Sequence, residues 1–250
     1  MPPPQEIDGY ENANWSSFQM FFQGWILRQE HYLEQLLTST NIPEEELSPL
    51  VSQVLSHYQQ YYEAKSMVIR QDVYVVFTPP WFSPFERTFL WIAGFKPGLA
   101  FKILNNSVRD SLSEDQKERV RELMAETRVA EKELSYEMAR VQESIVAPPV
   151  VDMSRLMHHN NNNRSDRDHR NEIDTGLRSL RETMETLVES ADFLRLTTAR
   201  KVVEILSPGQ AVTFLAAATQ LQLQVREMGY QRDAELRRRA RSSRATTRRN

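Results

Sequence analysis

Apolar positions recur at intervals of three and four along nearly the whole chain. Trp15, Phe18, Phe22 and Trp25 set the pattern, the spacing that lines one face of an α-helix. Asn14 offers an N-cap side chain, so a first helix is expected from there to about Leu37, closed by the polar TSTNIPEEE loop. Leu47, Leu50, Val51, Val54, Leu55, Tyr58 and Tyr62, then Ile69, Val73 and Val76, predict a single helix of roughly thirty residues. Within it VYVVF at 73–77 has strand composition. No second strand is present to pair with it, and a lone strand leaves its backbone unsatisfied, so helix is the reading. Thr78-Pro79-Pro80 ends it, because proline cannot donate the next bond.

Ser83-Pro84-Phe85-Glu86 is a helix start, with Ser at the cap, Pro at the first position and Glu three residues after the cap. The spacing predicts a helix over Pro84–Ala93 that stops at Gly94, and a second short one from Lys96-Pro97-Gly98 through Leu104. Phe85, Phe89 and Ile92 share a face that Leu90 and Trp91 widen. A helix apolar on most sides is a buried helix, and each large side chain contributes about 1.5–3 kcal/mol on full burial. This aromatic hairpin is therefore expected at the centre of the core.

Ser113-Glu114-Asp115-Gln116 repeats the cap, and Val120, Leu123, Thr127, Ala130, Leu134, Met138, Val141 and Ile145 continue the period until Pro148-Pro149. Residues 152–170, DMSRLMHHNNNNRSDRDHR, read as a disordered polar linker. The pattern resumes from Ile173 to Leu206, is capped again at Ser207-Pro208-Gly209-Gln210, and carries Phe214, Ala218, Leu221, Val225 and Met228 before dissolving into RRRARSSRATTRR. The expected fold is all-α, an antiparallel bundle of about six or seven helices, several of them long. Its parts are a disordered N-terminus at 1–13, one helical domain over 14–230 with the linker inside it, and a basic tail at 231–250.

Composition removes most chemistry. With no cysteine there is no disulfide, thiolate metal site or thiol nucleophile. Seven glycines in 250 residues disfavour a nucleotide-binding βαβ domain. The five histidines, His31, His57, His158, His159 and His169, form no pair at helical ligand spacing, so no metal or cofactor is assigned. Carboxylates mostly interleave with Lys and Arg, which a solvated helix face explains. Phosphate-binding and nucleophile-elbow motifs are missing, and no enzyme is indicated. Thr88–Phe95, eight residues between Arg87 and Lys96, is too short for a bilayer span, and the N-terminus lacks a signal-peptide pattern, so an intracellular chain is expected.

Charge is unevenly placed. Residues 231–250 hold eight arginines against two carboxylates, on a chain of net charge −3. Arg237, Arg238, Arg239, Arg241, Arg244, Arg248 and Arg249 could contact nucleic acid, form an import signal or simply solvate the terminus. The candidate partner or apolar-ligand surface is aromatic: Trp15, Phe18, Phe22 and Trp25, then Trp81, Phe85, Phe89, Trp91 and Phe95. Plain core packing is the competing reading for both groups.

These residues resemble a known family. WFSPFERTFLWIAGFKPGLAFKIL is similar to the signature hairpin of the plant Delay-of-Germination (DOG) domain, which also forms the C-terminal part of TGA-type bZIP transcription factors. FQMFFQGWILRQEHYLEQLL resembles its opening helix, LVSQVLSHYQQYYEAKSMVIRQDVYVVF the helix before the hairpin, and ESADFLRLTTARKVVEILSPGQAVTFLAAATQLQLQVREMG its closing helices. The resemblance runs from about Trp15 to Gly229. It implies a non-enzymatic plant regulator in the nucleus or cytoplasm, acting in dormancy, germination and abscisic-acid signalling through partners such as type 2C protein phosphatases or bZIP factors. A DNA-associated factor related to the TGA proteins and a pollen-aperture type member are the alternatives. No basic region precedes Asn14, so DNA binding through a basic zipper is not carried over. Haem binding, associated in some members with late histidines, is not carried over either, because none follows His169.

Overall fold

The computed structural model describes residues 8–39, 42–144 and 164–247. Among them the chain forms seven α-helices: α1 (Asp8–Thr38), α2 (Glu44–Gln71), α3 (Pro84–Arg87), α4 (Leu99–Ser107), α5 (Glu114–Ser144), α6 (Arg164–Ile205) and α7 (Pro208–Thr247). Two 3-10 segments, Val73–Phe77 and Arg109–Ser111, complete the described elements. The all-α bundle expected from the periodicity is the observed architecture. No described helix is long and apolar enough to cross a membrane.

The three sequence caps form, and all three do more than start a helix. Ser83 Oγ accepts from the Glu86 backbone while Glu86 accepts from the Ser83 N–H at 2.6 Å. Ser113 with Gln116 and Ser207 with Gln210 make the same reciprocal pair. The two glutamines then meet: Gln116 Nε2 donates to Gln210 Oε1 at 2.8 Å and to the Ile205 carbonyl at 2.9 Å. The start of α5 is thus bonded to the end of α6, which fixes these helices antiparallel.

Two apolar clusters fill the bundle. One gathers Leu36, Val54, Leu104, Leu123, Val202 and Leu215 from α1, α2, α4, α5, α6 and α7. The other gathers Phe18, Phe22, Trp25, Val73, Trp81 and Val188. Between them Gln29, Tyr58 and Thr219 tie α1, α2 and α7 together through buried and half-buried hydrogen bonds of 2.8–3.3 Å.

Several boundaries differ from expectation. Helix α1 begins at Asp8, ahead of Asn14. Helix α2 does not run through Val76. Asp72 leaves the helical region at φ −151°, accepts from the Tyr74 N–H at 2.9 Å, and starts a 3-10 turn over VYVVF. Helix α3 stops at Arg87 instead of Ala93, because the chain must turn tightly at Trp91–Gly94. Residues 152–163 of the expected linker, with His158 and His159, lie outside the described residues, as do 1–7, 248–250, Arg248 and Arg249. From Arg164 the rest of the linker is helical. The basic tail is helical too, since α7 continues to Thr247.

Candidate functional site

The segment between α3 and α4 roofs a cavity of about 1370 Å³, walled by α2, α4, α5, α6 and α7. Tyr58, Tyr61 and Tyr62 of α2 line it, together with Phe95, Phe101, Met124 and Phe214. Lys65 and Arg195 supply charge to its wall. More charge comes from α4 and α5, with Lys102, Lys117, Arg121 and Arg128 on the lining, so the space combines an apolar wall with a charged one, and concave sites between helices are where small molecules bind.

The roof is strained and clasped. Ile92 and Ala93 sit at φ 43° and 58°. A β-branched residue rarely adopts this region, and each such residue costs on the order of 1–3 kcal/mol. Two buried cations hold the turn by its carbonyls. Lys65 Nζ donates to Ala93 O at 2.7 Å. The Arg195 guanidinium donates to Trp91 O, to Ile92 O at 2.8 Å and to Phe95 O at 2.6 Å. Asp192 pairs with both: Lys65 Nζ lies 2.8 Å from its Oδ2, and Arg195 Nη1 2.5 Å from its Oδ1. All three side chains are buried.

Gly94 is required here by space. A Cβ on it would lie 2.7 Å from Arg195 Cζ, so only a glycine lets the guanidinium rest on the turn. Farther along, the buried Glu131 of α5 accepts from the Gly98 N–H at 2.5 Å and approaches Lys96 at 3.5 Å, while Trp91 Nε1 donates to Ser135 at 3.1 Å. Burial drives the Lys65 pKa down from its ordinary value to about 8, against the pull of Asp192. Burial likewise raises the Tyr58, Tyr61 and Tyr62 phenols, which stay protonated at neutral pH.

A second clasp closes the opposite end of the segment. Arg226 of α7 pairs with the capping Glu86 at 3.1 Å and stands over the Phe22 and Tyr230 rings. Gly229 allows this closeness, because a Cβ there would meet Ser83 Oγ at 2.1 Å.

The aromatic residues expected at a docking or ligand surface separate. Phe18, Phe22, Trp25 and Trp81 are core, with Phe18 on Trp81 at 4.5 Å and Trp25 stacked on His57 at 4.5 Å, so they present no face to a partner. Trp15 lies in α1, but its side chain is outside the described residues. Phe85, Trp91 and Phe95 are half-buried. Phe89 is 47% exposed, which corrects the expectation of a wholly interior hairpin. Trp25, although core, lines the cavity together with Phe89 and Phe95, whereas Phe85 packs edge-on against Phe89 at 5.1 Å. Arg237, Arg238 and Arg239 are exposed, and Arg241 and Arg244 lie within α7. His57 is buried, its ring nitrogens without partners among the described residues, and burial lowers its pKa to about 4. No described group of three or more His, Asp or Glu could hold a metal ion.

Sequence reasoning missed Lys65, Glu131, Asp192 and Arg195. A faint signal existed: each is a charge at an inward position of an otherwise apolar helical period. Missed as well was Phe193, beside Asp192, which is 72% exposed.

Comparison with known proteins adds the following. The family model described as "Seed dormancy control" matches residues 29–106. The chain is 35% identical over 225 residues to "Protein RESPONSE TO ABA AND SALT 1" of Arabidopsis thaliana, covering 86% of this chain and 96% of that protein. It is 36% identical over 221 residues to "Protein ZW2" of the same plant, covering 85% and 96%. "Transcription factor TGA7" of that plant is 27% identical over 84% of this chain but only 54% of its own length. The family match spans the last third of α1, all of α2 and α3, and most of α4, which includes the clasped roof.

Proposed function

Because the chain belongs to the DOG family of seed dormancy control proteins, we propose that it is a non-enzymatic regulator that docks partner proteins in dormancy, germination or abscisic-acid and salt responses. The observation that carries the reading is Phe193. At 72% it is the most exposed of the large apolar side chains among the described residues. It projects from the helical turn whose neighbours, Asp192 and Arg195, are locked to the roof, so it is a rigid aromatic anchor. The partners in view are type 2C protein phosphatases and TGA-type bZIP factors, with action in the nucleus alongside transcription. Titration calorimetry of the full chain with each purified partner tests it. Binding by wild type that weakens at least about tenfold in Phe193→Ser supports the reading. Absence of binding to either class overturns it.

The cavity supports a second reading, retention of a small apolar molecule under the roof. Native mass spectrometry of protein purified from plant tissue checks this. A bound mass lost on denaturation supports it, and a clean apo mass counts against it.

A further inference from the structure

The charge-rich end of α7 is continuous with the core. Ala211, Val212, Phe214 and Leu215 anchor the helix inside the bundle. From Gln231 to Thr247 the same helix runs on for about 25 Å, and residues 231–240 are exposed except for the half-buried Asp233. An extension of a packed helix has a set direction, which a loose tail lacks.

Its composition narrows what it can meet. Residues 236–250 hold no carboxylate, and residues 237–250 are only Arg, Ala, Ser, Thr and Asn. A helix that docks in a protein groove needs large apolar anchors at helical spacing, and one that lies on a membrane needs an apolar face. Residues 237–250 provide neither. Positions 237, 241 and 244 fall on one face, at spacings of four and three, with 238 beside them and the alanines 234 and 245 on the same flank. A helix with small neighbours is about 10–12 Å across, and the major groove of B-form DNA is about 12 Å wide. The major groove of A-form RNA is too narrow for it. Guanidinium forks match phosphate oxygens, and phosphates carry no sequence information.

We propose that the C-terminal part of α7 is a duplex DNA-binding helix that grips phosphates through Arg237, Arg238, Arg241 and Arg244 without sequence preference. This stands independently of protein docking at Phe193. The test is fluorescence anisotropy of the full chain with a short random-sequence DNA duplex between about 50 and 200 mM salt. Four phosphate contacts give a slope of log affinity on log salt of about −3 to −4. The variant Arg237→Ala/Arg241→Ala/Arg244→Ala is expected to lower affinity at low salt by more than about tenfold and to flatten the slope by about 2–3. The variant Arg232→Ala/Arg239→Ala, altered on the opposite face, keeps affinity within about twofold. Far-UV circular dichroism confirms helix in both, since alanine favours it. The proposal is overturned if the wild type does not bind duplex at low salt or if both variants weaken equally. It also fails if phosphatidylserine vesicles are bound as tightly as DNA, or if only an import receptor is bound.

Discussion

Arg195 and Arg237 are the same residue on long helices of one protein, yet they act in opposite ways. Arg195 is buried, bonded to three carbonyls of a strained turn and neutralised by Asp192. Arg237 stands in solvent on the C-terminal part of α7. Water screens the second charge and permits an ionic partner from outside. The first has been withdrawn from water, so its partners must come from the fold, and removing any one leaves the others unpaired. The contrast teaches that the meaning of a charge here is decided by its burial.

The comparison breaks most sharply at Asp192. Asp192→Asn leaves Lys65 and Arg195 as uncompensated buried cations, and a loss of about 3–5 kcal/mol is expected in urea unfolding. A loss below about 1 kcal/mol would mean that the clasp is slack.

The histidines repeat the contrast and sharpen it with pH. His57 is buried with a pKa of about 4, while His31 is exposed beside Gln35. Below its ordinary value near 6.5 the unfolded chain binds a proton at position 57 that the folded chain refuses. Stability from this group is therefore present above pH 6.5 and lost as pH falls toward 4, by up to about 3 kcal/mol. His57→Phe, which keeps a ring against Trp25, should flatten that part of the acid profile. An unchanged difference between the two proteins from pH 7 to 4 would contradict the assignment.

Gly94→Ala sets a methyl against the Arg195 guanidinium, and a loss of about 1–3 kcal/mol is expected. A milder sign of the same change is altered near-ultraviolet dichroism from Trp91, whose carbonyl Arg195 holds. The smallest effect belongs to the exposed end. Arg237→Ala, Arg238→Ala or Arg239→Ala should each move thermal stability by no more than about 0.5 kcal/mol. A larger loss would place these arginines with Arg195 and erase the distinction.

How much of this could be read in the chain follows from the range of each interaction. Ser83–Glu86, Ser113–Gln116 and Ser207–Gln210 were readable as caps, because a cap closes within one helical turn. That Gln116 would also reach Gln210, or Glu86 reach Arg226, was not, because those pairs are joined only by packing. The same limit hid the clasp, whose members Lys65, Ala93 and Asp192 are far apart in sequence. It also explains the misplaced end of α3: apolar spacing through Ile92 favours helix, but the Lys65 and Arg195 donors select a turn instead.

The sequence by itself determined the helical class, the long amphipathic segments, the caps and the family, since periodicity and local capping act over a few residues. Tertiary structure alone decided which aromatics are core, where the cavity opens, which charges are sealed inside and that the arginine-rich end extends a core helix. Those outcomes depend on which faces meet across the bundle. Removing a charge from water is tolerated only where distant segments bring it a partner.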